Sequence, residues 1–102
     1  MMAGLIQSEL HLDDETLDRR QPMDFLARTG WTQAKLLKID TACGYIARWT
    51  RRGYMVWIFA DDGKHTAAVA HLEYGQPVER EHVNALDALT DLLESPEFRR
   101  LF

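Results

Sequence analysis

A chain of 102 residues, 46% hydrophobic and 27% charged, is sized for one globular domain and is not a disordered segment. A formal charge of −4 argues against general nucleic-acid binding, and the single cysteine, Cys43, excludes an intramolecular disulfide or a four-cysteine zinc site. No apolar run approaches the ~20 residues of a membrane span, and the first residues lack the basic-then-apolar order of a signal peptide, so a cytoplasmic protein is expected.

Residues 1–20 read as an N-terminal arm or edge element. "LIQSELHL" alternates loosely, with Ile6, Ser8, Leu10 and Leu12 on one side, and the charged "DDETLDRR" follows. From residue 21 to 102 a single α+β domain is expected. "QPMDFLARTG" predicts a short helix, with Pro22 at a first helical position, Phe25 and Leu26 as anchors and Gly30 just past the end.

"TQAKLLKIDTACGYIARWTRRG" then places Leu36, Ile39, Cys43, Ile46 and Thr50 at alternating spacings of three and four. That period predicts a long amphipathic helix, capped by Thr32 and stopped by Gly53, with Arg48, Arg51 and Arg52 near its negative end. Gly44 dissents in mid-helix and marks either a kink or a break. The competing reading is two strands, 34–40 and 44–50.

"YMVWIFADDGKHTAAVAHLEY" is an antiparallel β-hairpin. Asp62-Gly63 suits a two-residue turn, because both positions tolerate positive φ. The turn pairs Asp61 with Lys64, Phe59 with Thr66, Trp57 with Ala68 and Met55 with Ala70. One face carries Met55, Trp57 and Phe59 opposite small residues. The other carries Tyr54, Val56, Ile58 and Ala60 opposite His71, Val69, Ala67 and His65. "GQPVEREHVNALDALTDLLES" predicts the C-terminal helix, with Val83, Leu86, Leu89, Leu92 and Leu93 on its apolar stripe, and "SPEFRRLF" a last helical turn.

Catalytic chemistry has no signature here. His65 and His71 share a sheet face, but six residues hold them roughly 20 Å apart, too far to ligate one metal. His11 and His82 stand alone. Cys43 falls on the apolar stripe of the expected helix and reads as a small buried hydrophobe. Asp13-Asp14-Glu15 and Asp61-Asp62 belong to a tail and a turn. The glycines form neither a phosphate loop nor a dinucleotide fingerprint. No enzyme, no cofactor and no metal is expected.

A lone two-stranded sheet is marginal and must be covered or extended. If the helices cover the Met55–Trp57–Phe59 face, then Tyr54, Val56, Ile58, Val69 and His71 form an exposed patch. Ile39 and Ile46 join it where the long helix shows part of its stripe. Such a patch marks an interaction site, for a homodimer or another protein, unless residues 1–30 fold over it. The rival is a nucleic-acid-binding regulator using Lys35, Lys38, Arg48, Arg51 and Arg52 on a basic helix over residues 32–52.

In layout the chain resembles the small bacterial antiactivators of the QslA type: a short acidic N-terminal segment, the helix "TQAKLLKIDTACGYIARWTRRG", the hairpin, and the closing helix "VEREHVNALDALTDLLES". That resemblance implies a non-enzymatic protein that binds a LuxR-type quorum-sensing activator, blocks its dimerisation, and itself self-associates. It carries over no site residues.

Overall fold

A computed structural model describes residues 19–101. Apart from Arg19 and Arg20, the expected N-terminal arm lies outside the described residues, as does Phe102. The described chain is α+β, a five-stranded antiparallel sheet with its main helix packed on one face and a single-turn helix beside the other. Its elements are α1 (Pro22–Arg28), β1 (Thr32–Gln33), α2 (Lys38–Ala42), β2 (Tyr45–Arg51), β3 (Tyr54–Asp61), β4 (Lys64–His71), β5 (Val78–His82), α3 (Ala85–Glu94) and α4 (Pro96–Leu101). The strands lie in chain order, β1 to β5, each beside its predecessor.

The hairpin is β3–β4, and every pairing expected from the Asp62-Gly63 turn is present, from Asp61↔Lys64 to Tyr54↔His71. Asp62 and Gly63 both take positive φ, 51° and 78°, the geometry whose twist matches the flanking strands. The first helix also forms as read, with Phe25 and Leu26 buried and Gly30 at φ 92°.

The long helix over residues 32–53 does not form. Three elements replace it: the two-residue β1, the single-turn α2 and the seven-residue β2. Gly44 sits at φ 109°, which ends any helix there, and its carbonyl accepts a hydrogen bond from the Ala60 amide at 2.8 Å. A Cβ at that position would lie 2.8 Å from the Ala60 carbonyl oxygen. After it, "YIARWT" alternates with period two and is rich in aromatic and β-branched residues, which suit a strand. Arg52 and Gly53 are not a helix stop. They are the two positive-φ residues of a second tight hairpin, β2–β3. Cys43, expected in a core, is exposed at the end of α2.

The C-terminal helix is shorter than its stripe implied. Val78–His82 pairs with β4 as an edge strand, and α3 begins only at Ala85. Asn84 sets that start: its Oδ1 accepts from the amides of Leu86 (2.8 Å) and Asp87 (3.2 Å). Ser95 similarly caps α4, accepting from the Phe98 amide at 3.2 Å.

The core lies between α3 and the sheet. Ala88, Leu89, Leu92 and Leu93 are fully buried against Trp49, Val56, Ile58, Ala67 and Val69. Phe25, Leu26, Trp31 and Phe98 close its end, with the Trp31 and Phe98 rings stacked 6.1 Å apart. Arg19 is drawn in as well, donating to the Leu93 carbonyl at 2.9 Å with its guanidinium 4.3 Å over the Phe25 ring. On β5 and α4, Arg80 pairs with Glu97 at 3.0 Å, and His82 meets Asp91 at 2.8 Å, tying the edge strand to both C-terminal helices.

Candidate protein-binding face

The two sheet faces have the opposite roles from those expected. Val56, Ile58 and Val69 are 0%, 2% and 1% exposed, beneath α3, so they are core residues rather than an open surface. Tyr54 and His71 stand at the end of that same face. Tyr54 packs against the core, and His71 meets it edge-on (4.9 Å) while stacking on Tyr74 (4.1 Å). Ile39 and Ile46 are exposed, but on α2 and at a bulge in β2, apart from one another and from the hairpin. The structure therefore does not gather the expected patch.

The reason lies in the flanking strands. With β2 and β5 in place, the helix-covered face reads Trp49–Val56–Val69–Val78 across four strands, an unbroken apolar row. The row beside it on the other face reads Arg48–Trp57–Ala68–Glu79, apolar only at its centre. Charged ends favour water, so the first face takes the helices.

What remains uncovered by any described helix is the Met55–Trp57–Phe59 face. Three rows cross it: Thr50–Met55–Ala70, Arg48–Trp57–Ala68–Glu79, and Tyr45–Phe59–Thr66–Glu81. Its middle is Met55, Trp57 and Phe59 on β3 beside Ala70, Ala68 and Thr66 on β4. The large residues are half-buried by their own neighbours, and Ala68 is fully buried among them without belonging to the core cluster. Tyr45 stands edge-on to Phe59 at 5.2 Å. α2 meets the face at its Arg48 corner, where Asp40 lies 3.4 Å from the guanidinium, and Gly44 just beyond α2 lies against the Phe59 ring. On the β5 side Glu79 and Glu81 are exposed. The face thus carries large apolar side chains on β3 beside small ones on β4, with the Arg48–Asp40 pair on one flank and Glu79 and Glu81 on the other.

The basic residues of the rival reading do not share a helix. Lys35 precedes α2, Lys38 begins it, Arg48 is on the open face, and Arg51 and Arg52 lie at the β2–β3 turn. Among the described residues, no three His, Cys, Asp or Glu side chains converge as metal ligands do. No described helix is long and apolar enough to cross a membrane. The chain matches no protein-family model, no curated protein and no solved structure.

Proposed function

We propose that this chain is a cytoplasmic, non-catalytic regulator that acts by binding another protein through the Met55–Trp57–Phe59 face of its sheet. The supporting observation is that face itself: a contiguous apolar ridge on rigid central strands, left open by the described helices. Strands hold such side chains in fixed positions, so the entropy lost on binding is small. Trp, Met and Phe are among the residue types enriched in protein interfaces. The target class follows the sequence resemblance: the ligand-binding domain of a LuxR-type activator, whose own dimerisation surface would be masked.

The test is calorimetric titration of the chain into the ligand-binding domains of the LuxR-type activators of its source organism, at about 0.5 M salt, where surface charges are screened within a few ångströms. Saturable binding that is lost in Trp57→Asp supports the proposal. No binding by any of these domains refutes the target class. Binding that Trp57→Asp leaves unchanged refutes the face.

A further inference from the structure

We infer a small-ligand site on the helix-covered side of the sheet, in the cleft between the β4–β5 loop and α4, with small aromatic carboxylates as its ligand class. It is separate from the Met55–Trp57–Phe59 face and does not rest on what binds there. The cleft measures about 330 Å³, at the lower end of the range that small-molecule sites occupy. Tyr54 and Val78 line it from the strands, Tyr74 from the loop, and Arg100 and Leu101 from α4.

Its sides are fixed before any ligand arrives. His71 Nδ1 accepts from the Glu73 amide at 3.1 Å, and the Tyr74 ring stacks on that imidazole at 4.1 Å. Tyr54 meets the same imidazole edge-on and packs against the core. The Leu72 amide ties the start of the loop to the Gly53 carbonyl at 2.7 Å. Across the cleft, α4 is anchored by buried Phe98, by the Ser95 cap and by the Arg80–Glu97 pair. Tyr74 and Leu101 both stay exposed, one on each side of the gap. Side chains already held in place lose little entropy on binding.

The lining selects the ligand. Most of it is apolar or aromatic, which suits a flat hydrocarbon body, and rings add readily to rings in offset or edge-on contact. Charge selects the head group. Glu97 on the rim bonds Arg80 at 3.0 Å, and Arg80 also reaches Asp91 at 3.5 Å. Arg100 lines the cleft and is exposed; Glu97 feels its charge but bonds Arg80 instead. A guanidinium so placed can take an incoming carboxylate with two parallel N–H···O bonds. Size follows from volume. At roughly 30 Å³ for each non-hydrogen centre, the share of one water in the liquid, the cleft holds a ligand of about eleven such atoms.

Hydrocinnamate, one ring and one carboxylate joined by a short chain, has that size and is the probe. It is titrated into the isotope-labelled full chain and the amide shifts are followed by NMR, beside its neutral counterpart, hydrocinnamyl alcohol. Saturable shifts are expected at Tyr54, at residues 71–78 and at residues 97–101, with the Trp57 indole N–H unmoved. Arg100→Gln is expected to weaken hydrocinnamate about tenfold, the weight of hydrogen bonds to a charged group, and to leave the alcohol unchanged. Arg99→Gln, one position earlier on α4 and outside the cleft, is expected to change neither. Tyr74→Ala should weaken both. Circular dichroism checks that each variant is folded, and the exposed Arg100 and Arg99 positions keep the comparison available if Tyr74→Ala is not. No saturation by about 10 mM, tenfold above a millimolar constant, overturns the site. Shifts centred on Trp57 overturn it as well. Equal losses in Arg100→Gln and Arg99→Gln, or an alcohol that binds as tightly as the acid, overturn the ligand class.

Discussion

Ile58 and Trp57 are neighbours on β3 that point to opposite faces, and the same substitution at each has very different expected costs. Ile58 is 2% exposed beneath α3. Ile58→Asp forfeits about 1.5–3 kcal/mol of side-chain burial. It also places a carboxyl without a built partner in the core, at a further cost of roughly 2–7 kcal/mol. A domain of this size has about 5–15 kcal/mol in all, so the variant should be largely unfolded in buffer. Trp57 is half-buried on the open face. Trp57→Asp loses only part of its burial, plus up to about 1 kcal/mol of strand preference, and its carboxylate reaches water. About 1–2 kcal/mol is expected, and the fold survives. Urea unfolding followed by far-ultraviolet circular dichroism separates the two. Equal costs, or a folded Ile58→Asp beside an unfolded Trp57→Asp, would refute the assignment of core and open face.

Four further outcomes follow from local geometry. Asn84→Ala should lower the urea midpoint by an amount equal to about 1 kcal/mol at unchanged slope, because it frees two amides at the start of α3. Gly44→Ala should cost about 1–3 kcal/mol, since φ 109° and a 2.8 Å approach to the Ala60 carbonyl both oppose a Cβ; Gly63→Ala, with nothing within 4 Å, should cost less in the same melt. Glu97 is held below its ordinary carboxyl value of 4.5 by its own backbone N–H and then by Arg80. A depressed carboxylate contributes stability above its unfolded value and loses it as pH falls through the folded one. Glu97→Gln should therefore lower the melting temperature at pH 6 and converge with the wild type in acid; a gap constant with pH would refute the pairing. Cys43 is exposed, so Ellman's reagent should label it in the folded protein without waiting for unfolding; labelling at the unfolding rate would place it inside.

The hairpin was legible because Asp-Gly names its own turn and register follows from it residue by residue. Its neighbours were harder to read. Arg52-Gly53 makes the same kind of turn with an arginine at φ 50°, and arginine carries no turn signal of its own. Without that turn, the residues of β2 also satisfied spacings of three and four. A seven-residue strand is short enough for either period to fit. At the other end, Glu79 and Glu81 alternate with Arg80 as an edge strand requires, yet acidic residues beside a proline also suit a helix start. Those two strands carry the charges that decide which face of the hairpin meets the helices. Without those charges the pattern of the hairpin alone assigns the helices to the wrong one of its two faces.

The chain's own treatment of water-facing strand positions bears on what the open face is for. Glu79 and Glu81 on β5 point to the same side as Met55, Trp57 and Phe59, and there the chain places carboxylates. The single helical layer already supplies a core, from Leu26 to Phe98, so the second face is not needed for burial within the described domain. Three large apolar residues at alternate positions of one central strand raise the hazard of nonspecific association. β-Branched polar residues such as Thr, which occupies the adjoining positions 50 and 66, would serve a solvated strand equally well. Met55, Trp57 and Phe59 stand instead beside Ala70, Ala68 and Thr66. A strand face turned only to water has no reason to carry three large apolar side chains in a row.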